Sequence, residues 1–400
     1  MKTTKHKWIF RARFRKNSFG WRSQPAVKRV KEAVSEIKKV ARKDPVLGGE
    51  GAVIFLEKVS PALEHVDSSS GSIGTAVYNA IEILSQIIAD APADDALRDQ
   101  WLERLWDAVQ EDDMPYIERL PDHWGELCVT KERASRWADR FIDTTRMALS
   151  PDPDIRGHYS GSSACLSTLL KAERYTELMV LVEAEPHGFW HYRQFGAKAL
   201  VAAGHFRAAL SFAEEGDGIN ESYLAISQTC EEILLSEGLL EEAYDCYGIQ
   251  ANQKMTNLAT FRAIVKKYLG KQPVDILNDL VESTPGEPGK WFASAKSIGL
   301  YKRAGELAMA SPVDPRTLTR AARDFAEREP AFAIESGLAA LHWISEGYGY
   351  EITGLDVWEA YDNTMKAAKN ADCIEETRGR VSILRRGNGM GVEFINKVLT

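Results

Sequence analysis

Apolar residues recur at intervals of three and four along most of the chain, the period of helices that bury one face. In SQPAVKRVKEAVSEIKKVARKDP, Val27, Val30, Val34, Ile37 and Ala41 share a face, Ser23 stands at the cap, Pro25 falls in the first turn, and Asp44-Pro45 stops the helix. Val77, Ala80, Ile81, Leu84, Ile87 and Ile88 repeat in the same way, predicting a helix from Ile73 to about Asp90, and DALRDQWLERLWDAVQEDD and ERASRWADRFIDTTRMAL have the same period. AVIFLEKVSPALEHV is cut by Pro61 and fits a helix better than a strand. At the N-terminus Trp8, Phe10, Ala12 and Phe14 alternate, as in an edge strand or a docked arm. The pattern predicts a basic, extended, aromatic-rich segment over 1–22 and a helical domain over 23–149.

SPDPDIRGHYSGSS, residues 150–163, concentrates loop-forming residues and is read as a domain boundary. Beyond it an internal register emerges. Gly204 and Gly238 lie 34 residues apart, each followed by a large apolar residue at the second position and by alanine at the fifth, Ala209 and Ala243. Looser copies begin at Glu173, Gly270 and Gly299, the last with Ala304 at the fifth position, so successive steps are 31, 34, 32 and 29 residues. A glycine free to take positive φ ends the first helix of a pair, the small fifth residue lets the second helix approach closely, and the large residue anchors the turn. This register resembles the tetratricopeptide-repeat family over residues 163–312, with irregular steps and a Gln272-Pro273 copy that depart from its pattern. The resemblance implies an α-solenoid of stacked helical hairpins and leaves the ligand open.

The remaining segment, 313–400, continues helical. Asp314-Pro315 opens RTLTRAARDFAERE, Pro330 precedes AFAIESGLAALHWISEG, and Thr353-Gly-Leu-Asp356 starts VWEAYDNTMKAAKN as a capping box would. WRSQPAVKRV, DSSSGSIG and GYGYEITGLDVWEAY together resemble a family of bacterial helical proteins, some encoded beside zinc-finger proteins, which brings no assigned activity.

Composition narrows the function. The 44% apolar and 27% charged content of 400 residues is that of a folded chain. No run approaches a membrane span or a signal-peptide core, so the expectation is a cytoplasmic protein without membrane contact. Five cysteines, far apart and odd in number, lack zinc-site spacing and read as buried reduced thiols. The net charge of −8 conceals an asymmetry: residues 1–43 carry 15 Lys/Arg against Glu32 and Glu36, a net +13, which leaves −21 for the rest.

Asp67-Ser-Ser-Ser-Gly71-Ser-Ile-Gly74 has the glycines of a phosphate loop but no basic residue, and is read as a serine-capped helix entry. Gly347 and Gly349 in GYGYEIT follow a helix and are read as its C-cap. His187 and His191 have a four-residue spacing without the carboxylate of a metalloprotease motif. Nucleophile elbows and flanked catalytic cysteines are missing, so neither an enzyme nor a cofactor is expected. Two function classes remain. One is a scaffold or adapter that binds a protein partner on the concave face of the repeats. The alternative is nucleic-acid binding by the basic segment, where Lys7, Arg11, Arg13, Arg15, Lys16 and Arg22 would neutralise phosphates while Trp8 and Phe14 stack on bases. In the other reading of that segment, the aromatics pack it onto the first helices and the cations meet the acidic body or solvent.

Overall fold

A computed structural model describes residues 6–215 and 223–400. Among them every regular element is a helix and no strand occurs, so the chain is all-α with helices packed largely in sequence order. It divides into two compact units, Met1–Ile233 and Leu234–Thr400.

The first unit holds α1 (Ile9–Arg13), α2 (Ser23–Ala41), α3 (Pro45–Leu63), α4 (Ser72–Asp90), α5 (Asp95–Gln110), α6 (Trp124–Cys128), α7 (Lys131–Ala148), α8 (Ser162–Lys171), α9 (Tyr175–Ala184), α10 (Trp190–Ala202) and α11 (Phe206–Glu214). α12 (Tyr223–Ser236) contains the division between the units. α7 and α8, on either side of the stretch 150–163, pack directly against each other, and the division into two compact units falls between Ile233 and Leu234. Asp44-Pro45 does end α2 and at once opens α3, where the Asp44 carboxylate accepts the Leu47 N–H at 3.0 Å. α3 then runs through Pro61 to Leu63, without the break that proline suggested.

Residues 9–13 are helical, not extended. The Glu36 carboxylate accepts the Ile9 and Phe10 backbone N–H groups at 2.8 and 3.1 Å, satisfying donors that a helix start leaves free. Phe10 and Phe14, one turn apart, both meet the Phe55 ring edge-on, with centroids 5.7 and 5.0 Å away. The Trp8 indole packs against α3, where a Cβ on Gly51 would stand 2.2 Å from it. Aromatic burial on α3 therefore docks the segment and specifies its helix.

α5 is held by charge as well as by packing. Arg104 spans Glu50 and Glu57 of α3 at 2.8 and 2.7 Å. Arg98, only 3% exposed, donates to the Ile88 and Ala91 carbonyl oxygens at the end of α4, the latter at 2.6 Å. It thus places a cation at the negative end of that helix and satisfies carbonyls that the helix leaves free.

The second unit continues with α13 (Leu240–Ala243), α14 (Ile249–Ala251), α15 (Asn257–Lys267), α16 (Pro273–Glu282), α17 (Phe292–Ser297), α18 (Tyr301–Ala310), α19 (Pro315–Phe325), α20 (Pro330–Ser345), α21 (Gly354–Asn370), α22 (Ile374–Leu384) and α23 (Val392–Val398). A wide π-helical turn, Tyr244–Gly248, joins α13 to α14. α20 is buried almost all round and packs against α18, α19 and α21, with its Trp343 Nε1 donating to the Ala308 carbonyl at 2.6 Å.

One corner recurs across both units. Glu173, Gly204, Gly238, Gly299 and Asp372 have φ of 58°, 83°, 74°, 78° and 52°. In each case the next residue's N–H bonds the carbonyl five positions back, at 2.8–3.1 Å, and the following helix starts one residue later. This is a left-handed helix cap that satisfies carbonyls otherwise orphaned. Ala209, Ala243 and Ala304, five residues on, are fully buried, as is Leu178, so the small or apolar fifth position is structural. The residue expected to anchor each turn does so less uniformly, since Leu240 is half exposed. The Gly270 copy breaks the pattern: its φ lies outside the left-handed region, and α16 starts from an extended Gln272 with Pro273 as its first residue.

Candidate functional site

The DSSSGSIG turn is a helix entry, but no serine caps it. Gly71, at φ 66°, occupies the cap position of α4, the Asp67 carboxylate accepts the Ser69 N–H at 2.9 Å, and Ser70 and Ser72 bond each other. Gly347 closes α20 by the recurring corner geometry, its φ being 87° and the Tyr348 N–H reaching the Trp343 carbonyl at 2.8 Å. The His187 ring meets Phe189 at a tilt and His191 stacks on Phe189, before and within the start of α10. Among the described residues no group of three or more His, Cys, Asp or Glu side chains could hold a metal ion. Cys246 is exposed, against the expectation that every thiol is buried; Cys128 and Cys165 are buried, which pushes each thiol up to about 12.

The basic segment is split by the fold. Trp8 and Phe14 are 5% and 1% exposed, so neither ring is available to stack on a base. Lys7, Arg11, Arg13, Arg15, Lys16 and Arg22 all face solvent, while Lys5 lies outside the described residues. Both carboxylates of the segment are committed: Glu36 to the start of α1, and Glu32 to Arg13 and Arg29 at 2.8 and 2.6 Å. Among the described residues, cations without an ion pair continue down α2 as Lys28, Lys31, Lys38 and, at its C-cap, Arg42, at helical spacing on the exposed face.

In the second unit, α19 and α21 pack side by side and leave a groove of about 910 Å³. Arg316, Arg320 and Arg323, at i, i+4 and i+7, form one wall; Trp358, Glu359 and Asp362 stand on the other. Arg316 clamps Asp356 with two bonds at 2.6 and 3.0 Å and also donates to the Glu351 carbonyl. Asp356 in turn accepts the Thr353 N–H at 2.8 Å, completing the start of α21 as its spacing predicted, and Arg316 holds its carboxyl well below the usual carboxylate range. Arg320 bonds only the Arg316 carbonyl and the Thr317 hydroxyl, so its charge faces the groove without a carboxylate partner among the described residues. Trp358 is 48% exposed, unlike the buried tryptophans of the core. Sequence reasoning missed this wall. The arginine spacing was the available signal, but only packing shows that α21 stands opposite.

A smaller cleft of about 330 Å³ in the first unit is lined by Asp112, Asp122, Tyr159, His191 and Tyr192 among others. Burial pushes Asp122 up and His191 down, the latter aided by Arg119. Two of its carboxylates are engaged: Asp112 accepts from Ser60 and the Ile117 N–H, and Glu118 from Tyr78. No described helix is long and apolar enough to cross a membrane. No protein-family model matches the chain, and no curated protein matches its sequence.

Proposed function

We propose that the protein is a non-enzymatic helical scaffold, built of stacked helical hairpins in the manner of an α-solenoid, that binds a protein partner in the α19/α21 groove. The observation that carries this reading is the half-exposed Trp358 facing the row Arg316, Arg320 and Arg323 across one groove. Tryptophan and arginine are the side chains that most often dominate protein–protein affinity, because each presents a large, stiff contact surface with a polar end. The recurring left-handed corner supports the stacked-hairpin part, since one turn geometry joins the two helices at each of five places along the chain. The test uses the full chain as bait in native lysate, comparing wild type with the double variant Trp358→Ala/Arg320→Glu and with Lys302→Glu, an exposed position on α18. A partner held by wild type and by Lys302→Glu but lost from the double variant supports the reading. Identical recovery by all three baits, or no specific recovery by wild type, refutes it.

A further inference from the structure

A second groove, in the first unit and independent of the one above, runs between α2 and α4 and has a volume of about 580 Å³. Its floor is apolar: Val30, Val34, Ala76 and Ala80, with Ile83 only partly buried. Its α2 rim is cationic, with Lys31, Lys38, Lys39 and Arg42 all exposed, and Ser35 and Asn79 complete the lining. No carboxylate lines it. The four cations make no ion pair among the described residues, and the two glutamates of α2 are spent on α1, Arg13 and Arg29. With Lys28 the positive stripe runs from residue 28 to residue 42, about 21 Å of helix. A one-sided cationic rim along an apolar floor is complementary to a helix with an apolar stripe and an acidic flank.

We propose that the α2/α4 groove docks an amphipathic helix of a partner protein, its apolar edge on Val34, Ala76 and Ile83 and its acidic flank against Lys31, Lys38, Lys39 and Arg42. A nucleic acid would use the cations but not the floor, and three of the rings interleaved with the N-terminal cations, Trp8, Phe10 and Phe14, are turned into the core, although Trp21 is 71% exposed. The apolar floor thus favours the helix over a phosphate backbone.

The experiment measures fluorescence anisotropy of labelled helical peptides of about 18 residues against the full chain, at about 50 and 200 mM salt. One panel carries leucines at i, i+3, i+4 and i+7 with glutamates on one flank, varied in register; the matched panel carries lysines there instead. At least one acidic peptide should bind about tenfold or more tighter than its basic match, and Lys31→Glu/Lys38→Glu should reverse that preference. Ile83→Lys is the discriminating variant, because it adds a cation while spoiling the floor. It should weaken the acidic peptide about tenfold and strengthen any plain polyanion. Asn79→Trp, which fills the groove from an exposed position, should block the peptide if Ile83→Lys proves too unstable to assay. The proposal is overturned if neither panel is preferred, or if Ile83→Lys and Asn79→Trp leave binding unchanged. It is equally overturned if a single-stranded oligonucleotide or a phosphatidylglycerol vesicle binds more tightly than every peptide and depends on the rim alone.

Discussion

Gly299 and Gly270 occupy equivalent places in the internal register, yet only Gly299 has a left-handed backbone, at φ 78°. At both positions a Cβ would meet nothing within 4 Å, so substitution by alanine tests backbone conformation without steric interference. Alanine in the left-handed region costs about 1–2 kcal/mol. Replacing glycine also restricts the unfolded chain, which stabilises by about 0.4–1 kcal/mol wherever the native backbone suits alanine. The second effect is common to both sites and cancels in their difference. Gly270→Ala should therefore be neutral or stabilising, and Gly299→Ala should lie about 1–2 kcal/mol below it. For a unit of this size that gap is roughly 2–8 °C in midpoint. Calorimetry of the full chain, with urea unfolding followed by circular dichroism, measures it. Equal shifts, or a larger loss at Gly270, would refute the assignment of the left-handed cap to Gly299 and with it the shared corner geometry.

Ala209→Leu should overpack a fully buried position at a cost of about 1–3 kcal/mol, whereas exposed Ala208→Leu, one residue away, should stay within about 0.5 kcal/mol; thermal unfolding of the two variants compares them. Arg98→Leu should lower stability by about 2–3 kcal/mol in urea titration, because the carbonyls ending α4 lose a buried charged donor that leucine cannot replace. Burial opposes charge on His123, but its hydrogen bond to Glu126 and the charges of Glu82 and Glu126 outweigh that and raise its affinity for a proton. Its contribution is therefore fully present below about pH 6.5 and disappears as pH rises through the raised folded value. The melting difference between wild type and His123→Gln should be largest in mild acid and shrink above neutrality, and a difference that grows with pH would contradict this.

The helices were legible because periodicity of three and four is a local property of any chain segment that buries one face. The left-handed corners at Gly204, Gly238 and Gly299 were legible for the same reason, since a cap depends on one residue's φ. Asp372 and Glu173 adopt that conformation without a glycine to announce it. Residues 8–14 dock on the first helices, as one reading of the segment had it, but their helix was missed because Trp8 precedes α1 while Phe10 and Phe14 are one turn apart within and just after it, and three aromatics at even spacing imitate a strand. The loop at 150–163 was recognisable as a loop, but composition carries no information on whether α7 and α8 pack across it. Arg98 is invisible to any rule that places arginine at the surface. Both grooves are tertiary: Arg316, Arg320 and Arg323 read as an exposed stripe, and only the packing of α21 beside α19 turns the stripe into a wall facing Trp358.

The most direct measurement is site-specific photo-crosslinking of the full chain in native lysate, with p-benzoylphenylalanine placed at position 358 and, as a control, at Met255, which is 99% exposed and lies outside the α19/α21 groove. The docking account predicts a discrete adduct from position 358 that disappears with Arg320→Glu and does not form from position 255. The same adducts from both positions, or none from position 358, would contradict it.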